Sequence, residues 1–395
     1  MSLGIYISVP FCRTKCSYCN FASDVFSRAV FERYVDRVCA DIENAPQVAA
    51  GMGGRIDGEV DSIYLGGGTP TMLNAAQLER IFATVRRQFD VDPQAEITVE
   101  CAPGTLAPAV PEVLLHCGVN RVSLGVQSFV DPEAAAVGRL HKRETVLEDL
   151  ARLRAAGITN INLDLIAGLP HQTSDSWEFS LAETIATGAP HASVYMLEVD
   201  EDSRLGRELM AGGTRYHAHF VPGEEAIADF YVAACERLQS AGIVQYEISN
   251  FARKGFESQH NLKYWMRQPY LGFGVDAHSM LESAAPDIEA VRFSLSDSLE
   301  RYMNGAALQR TTVSQRAAME ESLFLGLRLT RGVSVIKLEK HFGKDAIQKV
   351  RLTIAELVED GLIEDRENFI RLTPRGRLLS NEVFEKFILT EESVR

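Results

Sequence analysis

Cys12-Arg13-Thr14-Lys15-Cys16-Ser17-Tyr18-Cys19 follows directly on the short apolar run Ile5-Tyr6-Ile7-Ser8-Val9. Three thiols at C-x3-C-x2-C spacing, on the loop that leaves a strand, can all face one small object. Thiolates are soft ligands that suit zinc or an iron–sulfur cluster. A structural zinc site closes four tetrahedral positions with Cys or His. Here the next cysteine, Cys39, falls inside a helical pattern, and the first histidine is His116. No fourth ligand is close in sequence. Three thiolates on a [4Fe–4S] cube leave one iron open, and an open iron binds something. The spacing therefore favours a three-Cys cluster over structural zinc.

The chain around this loop has 395 residues, room for a domain of roughly 250 residues and a smaller one. Hydrophobic residues make up 46% of it, enough for a sizeable core. A formal charge of −14 argues against a nucleic-acid or anionic-membrane partner. The N-terminus shows neither a basic n-region nor a long apolar h-region. No apolar run reaches the ~18 residues of a membrane span, so membrane contact is expected only through a partner. The seven cysteines do not form a disulfide pattern, which fits a reducing, cytoplasmic home.

From residue 4 to about 200, apolar runs alternate with amphipathic stretches. Strands are predicted at 4–9, 61–65, 95–101, 120–126, 160–166 and 192–198, and helices at 29–44, 75–88, 144–156 and 174–188. This is the signature of βαβ units in a parallel α/β sheet. Six units are too few for an eight-fold barrel, and a doubly wound sheet stays open as the alternative. The polar residues that interrupt the strands fall at or near their C-terminal ends, where parallel α/β folds bind ligands. They are Glu100, Gln127, Asp164 and the turn Gly66-Gly67-Gly68-Thr69-Pro70-Thr71. That turn is neither a P-loop nor a dinucleotide fingerprint. Its glycines allow close backbone approach to a ligand and leave amides free to bond it.

Residues 201–222 read as a solvated polar loop that includes His217-Ala218-His219. A helix at 223–242 leads to an added strand near 244–251. Then come His260-Asn261-Leu262-Lys263-Tyr264-Trp265 and the run from Tyr270 to Ser279. Histidine and aromatic residues in a loop suit a flat, apolar, metal-bearing ligand such as haem, and aromatic packing is the plain alternative. From about 312 the pattern is helices at 315–329, 334–342 and 345–360, then two short strands around a polar tip. That is a winged-helix-like unit. Residues 315–395 carry 14 Lys+Arg and 14 Asp+Glu, a net of zero. The basic face that phosphate contacts need is missing, so a lid or docking role is expected rather than DNA binding.

With these residues in hand, the chain resembles the radical S-adenosylmethionine (SAM) superfamily. Over nearly its whole length it is similar to the oxygen-independent coproporphyrinogen III oxidase family, and most similar to that family's haem-chaperone branch. The resemblance rests on Tyr6, the three cysteines, the 66–71 turn, Glu100, Gly125-Val126-Gln127-Ser128-Phe129, Gly138-Arg139-Leu140-His141, Asp164 and Gly168-Leu169-Pro170. It implies a partial (βα)6 barrel with the winged-helix-like α/β domain at the C-terminus, divided as 1–222, 223–311 and 312–395. It implies a [4Fe–4S] cluster on Cys12, Cys16 and Cys19. It implies SAM held by Tyr6, Tyr18, Gly67, Gly68, Thr69, Glu100, Gln127, Arg139 and Asp164. It also implies haem b bound through His260 of an H-N-x-x-Y-W motif, an electron donor, and haem-receiving apo-proteins such as respiratory enzymes. The oxidases resemble C-x3-C-x2-C-x-C, whereas Phe21 stands at the last position here, and they carry a longer N-terminal extension. The oxidase reaction, decarboxylation of coproporphyrinogen III, and a zinc-stabilised scaffold are the rival functions. Two departures from the family pattern are Cys101-Ala102 in place of Ala-Asn and Asp276 in place of Gly, the latter placing a carboxylate near His278.

Overall fold

Alternation along each strand builds the barrel wall. In this computed structural model, which describes residues 1–198 and 200–388, six parallel strands lie side by side in chain order. They are β1 (Leu3–Val9), β2 (Val60–Gly67), β3 (Val91–Cys101), β4 (Arg121–Gln127), β5 (Asn160–Ala167) and β6 (His191–Met196). One side chain in two is apolar and buried against the surrounding helices, for example Ile5, Ile63, Val99, Leu124, Leu163 and Val194. The alternate positions are polar: Tyr64, Glu100, Arg121, Ser123, Asn162, Asp164 and Ser193 face the barrel interior. A period of two with a polar inner face makes a wall around a cavity rather than a filled core.

The helices cover the outside. Ala75–Gln88 begins at a capping box in which Asn74 and Gln77 each bond the other's backbone, and it buries Leu78, Ile81, Phe82 and Val85 on one stripe. Ser174–Ala186 starts from a similar box between Thr173 and Ser176. These elements match the sequence expectation to within a few residues.

The sheet does not close on itself. Beyond β6 it continues through the antiparallel pair β7 (Val244–Gln245) and β8 (Asn250–Ala252). Beyond β1 it continues through β9 (Tyr270–Phe273), parallel to β1, and then antiparallel β10 (His278–Glu282), β11 (Ala290–Ser294) and β12 (Gln309–Val313). The result is a twelve-stranded sheet whose central six strands form the open, partial barrel.

The C-terminal part has its own core, in which Leu323, Ile347, Val350, Ile354, Ile370 and Phe387 are buried together. Helices Gln315–Leu327, Val335–Phe342 and Lys344–Glu359 pack with a sheet of β13 (Val333–Ser334), β14 (Ile363–Arg366) and β15 (Phe369–Leu372). The wing turns through Glu367 and Asn368, both at positive φ, as a two-residue hairpin between right-twisted strands requires.

Three local expectations change. The stretch 201–222 is not a plain loop: it holds the helix Arg204–Met210 and a 3-10 segment, Arg215–Phe220. The single added strand near 244–251 is a pair. His260 lies not in a loop but in the helix Gln259–Trp265. Among the described residues, no helix is long and apolar enough to cross a membrane.

Candidate functional site

The loop after β1 is pinned at several points before any ligand is considered. The Cys12 amide donates to the Asp24 carbonyl at 3.0 Å, and the Ser17 amide to the Val137 carbonyl at 3.1 Å. The Thr14 hydroxyl bonds the Gly138 carbonyl at 3.0 Å, and the Lys15 ammonium bonds the carbonyls of Phe21 and Ser23 at 2.6 and 2.7 Å. Gly138, at φ +85, lets the backbone pass beside Cys16: a Cβ there would stand 3.7 Å from the Cys16 Cα. Cys12, Cys16 and Cys19 are free, half-buried thiols on one wall of a cavity of about 1020 Å³. Burial pushes the Cys12 thiol up, partly offset by hydrogen bonds from Ser23 and Thr69.

The triple glycine has a steric reason at each position. A Cβ on Gly66 would stand 2.9 Å from the Glu100 carboxyl carbon, one on Gly67 2.9 Å from the Ser8 hydroxyl, and one on Gly68 2.7 Å from the Val9 carbonyl. Gly67 also sits at φ +94. The turn is drawn against β1 and β3 so tightly that only glycine fits, and its backbone lines the cavity.

Glu100 accepts from the Tyr64 hydroxyl at 2.8 Å and the Gly67 amide at 3.1 Å. Burial raises its carboxyl to about 7; the Tyr64 bond opposes the shift and the nearby Asp164 adds to it. Asp164 accepts from the Ser123 hydroxyl at 2.9 Å and the Asn162 amide at 2.7 Å, and burial lifts it as well. Arg139 reaches across to β4, where a Cβ on Gly125 would stand 2.7 Å from its guanidinium. Its Nε is buried without a partner. Gln127 ends β4 at φ +68, and its side-chain amide nitrogen would stand 3.0 Å from the same Gly125 Cβ.

The structure therefore brings eleven of the thirteen sequence-predicted residues onto one cavity: the three cysteines, Tyr18, Gly67, Gly68, Thr69, Glu100, Gln127, Arg139 and Asp164. Tyr6 stands just behind the wall, 3.3 Å from where a Gly67 Cβ would be. Asp276 and His278 do not line the cavity. They form a half-exposed pair 3.8 Å apart, with Asp276 at φ +58 where a glycine would be unstrained. Cys101 remains buried at the end of β3 with its thiol pushed up to about 12 by burial.

His260 is the residue whose setting differs from the sequence reading. It is 1% exposed and does not line the cavity. Its Nδ1 shares a 3.0 Å hydrogen bond with the Ser62 hydroxyl and its Nε2 a 2.8 Å bond with the Tyr264 hydroxyl. Burial, with Lys263 and Arg121 nearby, depresses the imidazole to about 3, so it is neutral. Glu96 of β3 accepts from the amides of Gln259 and His260 at 3.0 and 3.1 Å and anchors the helix start against the barrel. Both ring nitrogens are spent, and an axial bond to haem iron does not fit this arrangement.

Sequence reading missed Arg121, Ser123 and Asn162, which share the inner face of their strands with Gln127 and Asp164. The signal was present. Arg121-x-Ser123 continues toward Gln127 as polar positions at a spacing of two, interrupted at Gly125, where the strand shifts register.

The donor set suits a cluster with a chelating ligand. Among the described residues no three His, Cys, Asp or Glu side chains converge tightly enough for one metal ion. The three thiols line one wall of the cavity beside the Arg139 guanidinium, while the amides of Gly67, Gly68 and Thr69 are already bonded to Glu100 and to the carbonyls of Val9 and Phe11.

The radical SAM superfamily profile matches residues 6–182, and the HemN C-terminal domain profile matches residues 313–379. The chain is 34% identical over 385 residues to the heme chaperone HemW of Bacillus subtilis (strain 168), covering 97% of this chain and 98% of that protein. It is 36% identical over 345 residues to the heme chaperone HemW of Synechocystis sp., covering 86% and 81%. The solved structure of coproporphyrinogen III oxidase (HemN) from Escherichia coli, described as a radical SAM enzyme, aligns with a TM-score of 0.82 at 25% identity, covering 98% of this chain and 90% of that one. With the cysteine loop, the glycine turn and the polar inner wall all in their places, the chain belongs to the HemW family of the radical SAM superfamily.

Proposed function

We propose that the protein is a haem chaperone of a reducing, cytoplasmic compartment. It takes up haem b as cargo and hands it to apo-proteins such as respiratory enzymes, and it carries a [4Fe–4S] cluster and SAM in the barrel. The observation that carries the reading is identity of 34% to a heme chaperone over 97% of the chain.

Cys12, Cys16 and Cys19 would hold the cluster, which when bound supplies a one-electron redox centre with one open iron. An electron donor would then be a second partner. The chain's own groups do the rest of the binding. Arg139 offers a planar fork to the SAM carboxylate. Glu100 and Asp164 would accept hydrogen bonds from its ammonium or ribose hydroxyls, carbonyls of the Gly67–Thr69 turn would meet its amino end, and Tyr18 would stand against its adenine.

Anaerobic reconstitution followed by haem titration tests this. Stoichiometric haem uptake and its transfer to an apo-protein, without turnover of coproporphyrinogen III, support it. SAM-dependent formation of protoporphyrinogen overturns it in favour of the oxidase, the reading that the likeness to HemN keeps in play. For His260 to serve as the iron ligand, the helix Gln259–Trp265 has to leave its seat. Loss of the haem Soret shift in His260→Ala, with the fold intact, supports that movement; an unchanged shift assigns the iron to another group.

A further inference from the structure

Arg121 is an unspent cation in the middle of the molecule. It is 1% exposed, and it projects from the start of β4 into the cavity. Its Nε is buried without a hydrogen-bond partner. Among the described residues no carboxylate oxygen lies within 4.0 Å of its guanidinium, and no side chain or carbonyl accepts from it. A buried guanidinium without a protein acceptor is costly, and its setting on the cavity wall leaves it free to take one from a ligand.

The two carboxylates on the neighbouring strands feel its charge but take their hydrogen bonds from other groups. Glu100 is served by Tyr64 and Gly67, and Asp164 by Ser123 and Asn162. Arg139, the other unpaired guanidinium, stands beside Gly125, four residues along β4 from Arg121 toward the cysteine loop. The cavity thus holds two separate anion receptors. Its volume of about 1020 Å³ is at the upper limit of the ~300–1,000 Å³ that one ligand ordinarily fills.

We infer that Arg121 is a carboxylate receptor at the inner end of the cavity, which binds an acid side arm of the second ligand, the propionate of a tetrapyrrole. The inference rests on the haem-chaperone reading and adds to it the group by which the cargo is held. A planar fork donating two N–H bonds suits a carboxylate, whereas an ester offers it only a neutral carbonyl oxygen and no charge.

The test uses the reconstituted full-length protein, with haem b and haem b dimethyl ester as probes and equilibrium binding followed at the Soret band. Wild type should bind haem b about tenfold or more tightly than its diester, the scale of a charge-assisted hydrogen bond. Arg121→Met should erase that preference and Arg121→Lys should restore part of it. Equal binding of the two probes by wild type overturns the carboxylate role while leaving the chaperone reading standing. If neither probe binds, the chaperone reading falls and the receptor with it. Thermal unfolding of the protein without ligand supplies an independent arm. Arg121→Met should melt at the same temperature as wild type or higher, because the guanidinium removed makes no hydrogen bond or close ion pair in the protein without ligand. A lower melting temperature would show that Arg121 is already spent as an internal counter-charge, and overturns the inference.

Discussion

Glu100 turns the polar barrel into a pH-sensitive element of the empty protein. Its carboxyl is raised to about 7 from 4.5, chiefly by burial. An acid raised in the folded state keeps its proton where the unfolded chain has already released it. Its contribution to stability is complete below about 4.5 and is lost as pH rises toward about 7. One pKa unit corresponds to about 1.4 kcal/mol, which bounds the loss at about 3 kcal/mol. Glu100 borders a cavity that admits water, so about 1–2 kcal/mol is the working expectation. Glu100→Gln keeps an acceptor for Tyr64 and Gly67 and removes the titration. Urea or thermal unfolding of ligand-free wild type and Glu100→Gln between pH 4.5 and 8 provides the comparison. The difference between the two curves should favour wild type least at the alkaline end. Curves that stay parallel through this range would refute the burial argument. Asp164 is also raised, with the Glu100 charge close to it, so the variant should flatten the slope by slightly more than Glu100's own share. A bound cation such as the SAM ammonium favours the ionised carboxylate, and its binding near pH 6 should release a proton.

Cys16→Ala should leave the far-ultraviolet spectrum unchanged and abolish the visible absorption of the reconstituted cluster; a retained band removes Cys16 from the ligand set. Gly4→Ala should destabilise the protein by about 1–3 kcal/mol in chemical unfolding. The new Cβ would meet the Lys263 stem at 2.9 Å and the Ser62 hydroxyl at 3.2 Å. Lys263 is 1% exposed and tied to Asp61 at 2.6 Å, so it has little freedom to yield.

Most of the barrel was legible because it is a local pattern. Strand and helix periods, the capping boxes at Asn74 and Thr173, and the glycine turn are all written within a dozen residues. The site residues at the strand ends were legible for the same reason: Glu100, Gln127 and Asp164 interrupt apolar runs that otherwise need no acid or amide. Arg121 escaped because it opens its strand, where a charge looks like an ordinary exposed end. Only the closing of six strands around a common interior turns that position inward. The helix Arg204–Met210 escaped because its buried turn is set by distant contacts: the Leu205 amide bonds the Ser17 carbonyl of the cysteine loop at 2.7 Å.

The setting of His260 is the case in which distance along the chain decided the outcome. The helix start has a local N-cap, Ser258, whose hydroxyl accepts from the Asn261 amide, but its first two amides are held by Glu96, a residue more than 160 positions earlier. To expose the imidazole, the protein must give up the ring bonds to Ser62 and Tyr264, the two amide bonds to Glu96, and the Ser258 hydroxyl's bond to the same carboxylate at 3.3 Å. At about 1 kcal/mol net for each bond, the seated form is favoured by about 5 kcal/mol, and the open form has a population on the order of 10⁻⁴. A ligand that requires the open form has its apparent affinity weakened by the same factor. Direct capture of haem iron by His260 is therefore a weak first step. Recognition at the cavity comes first on these numbers, and any iron–imidazole bond must follow a displacement of the helix that the cargo itself drives.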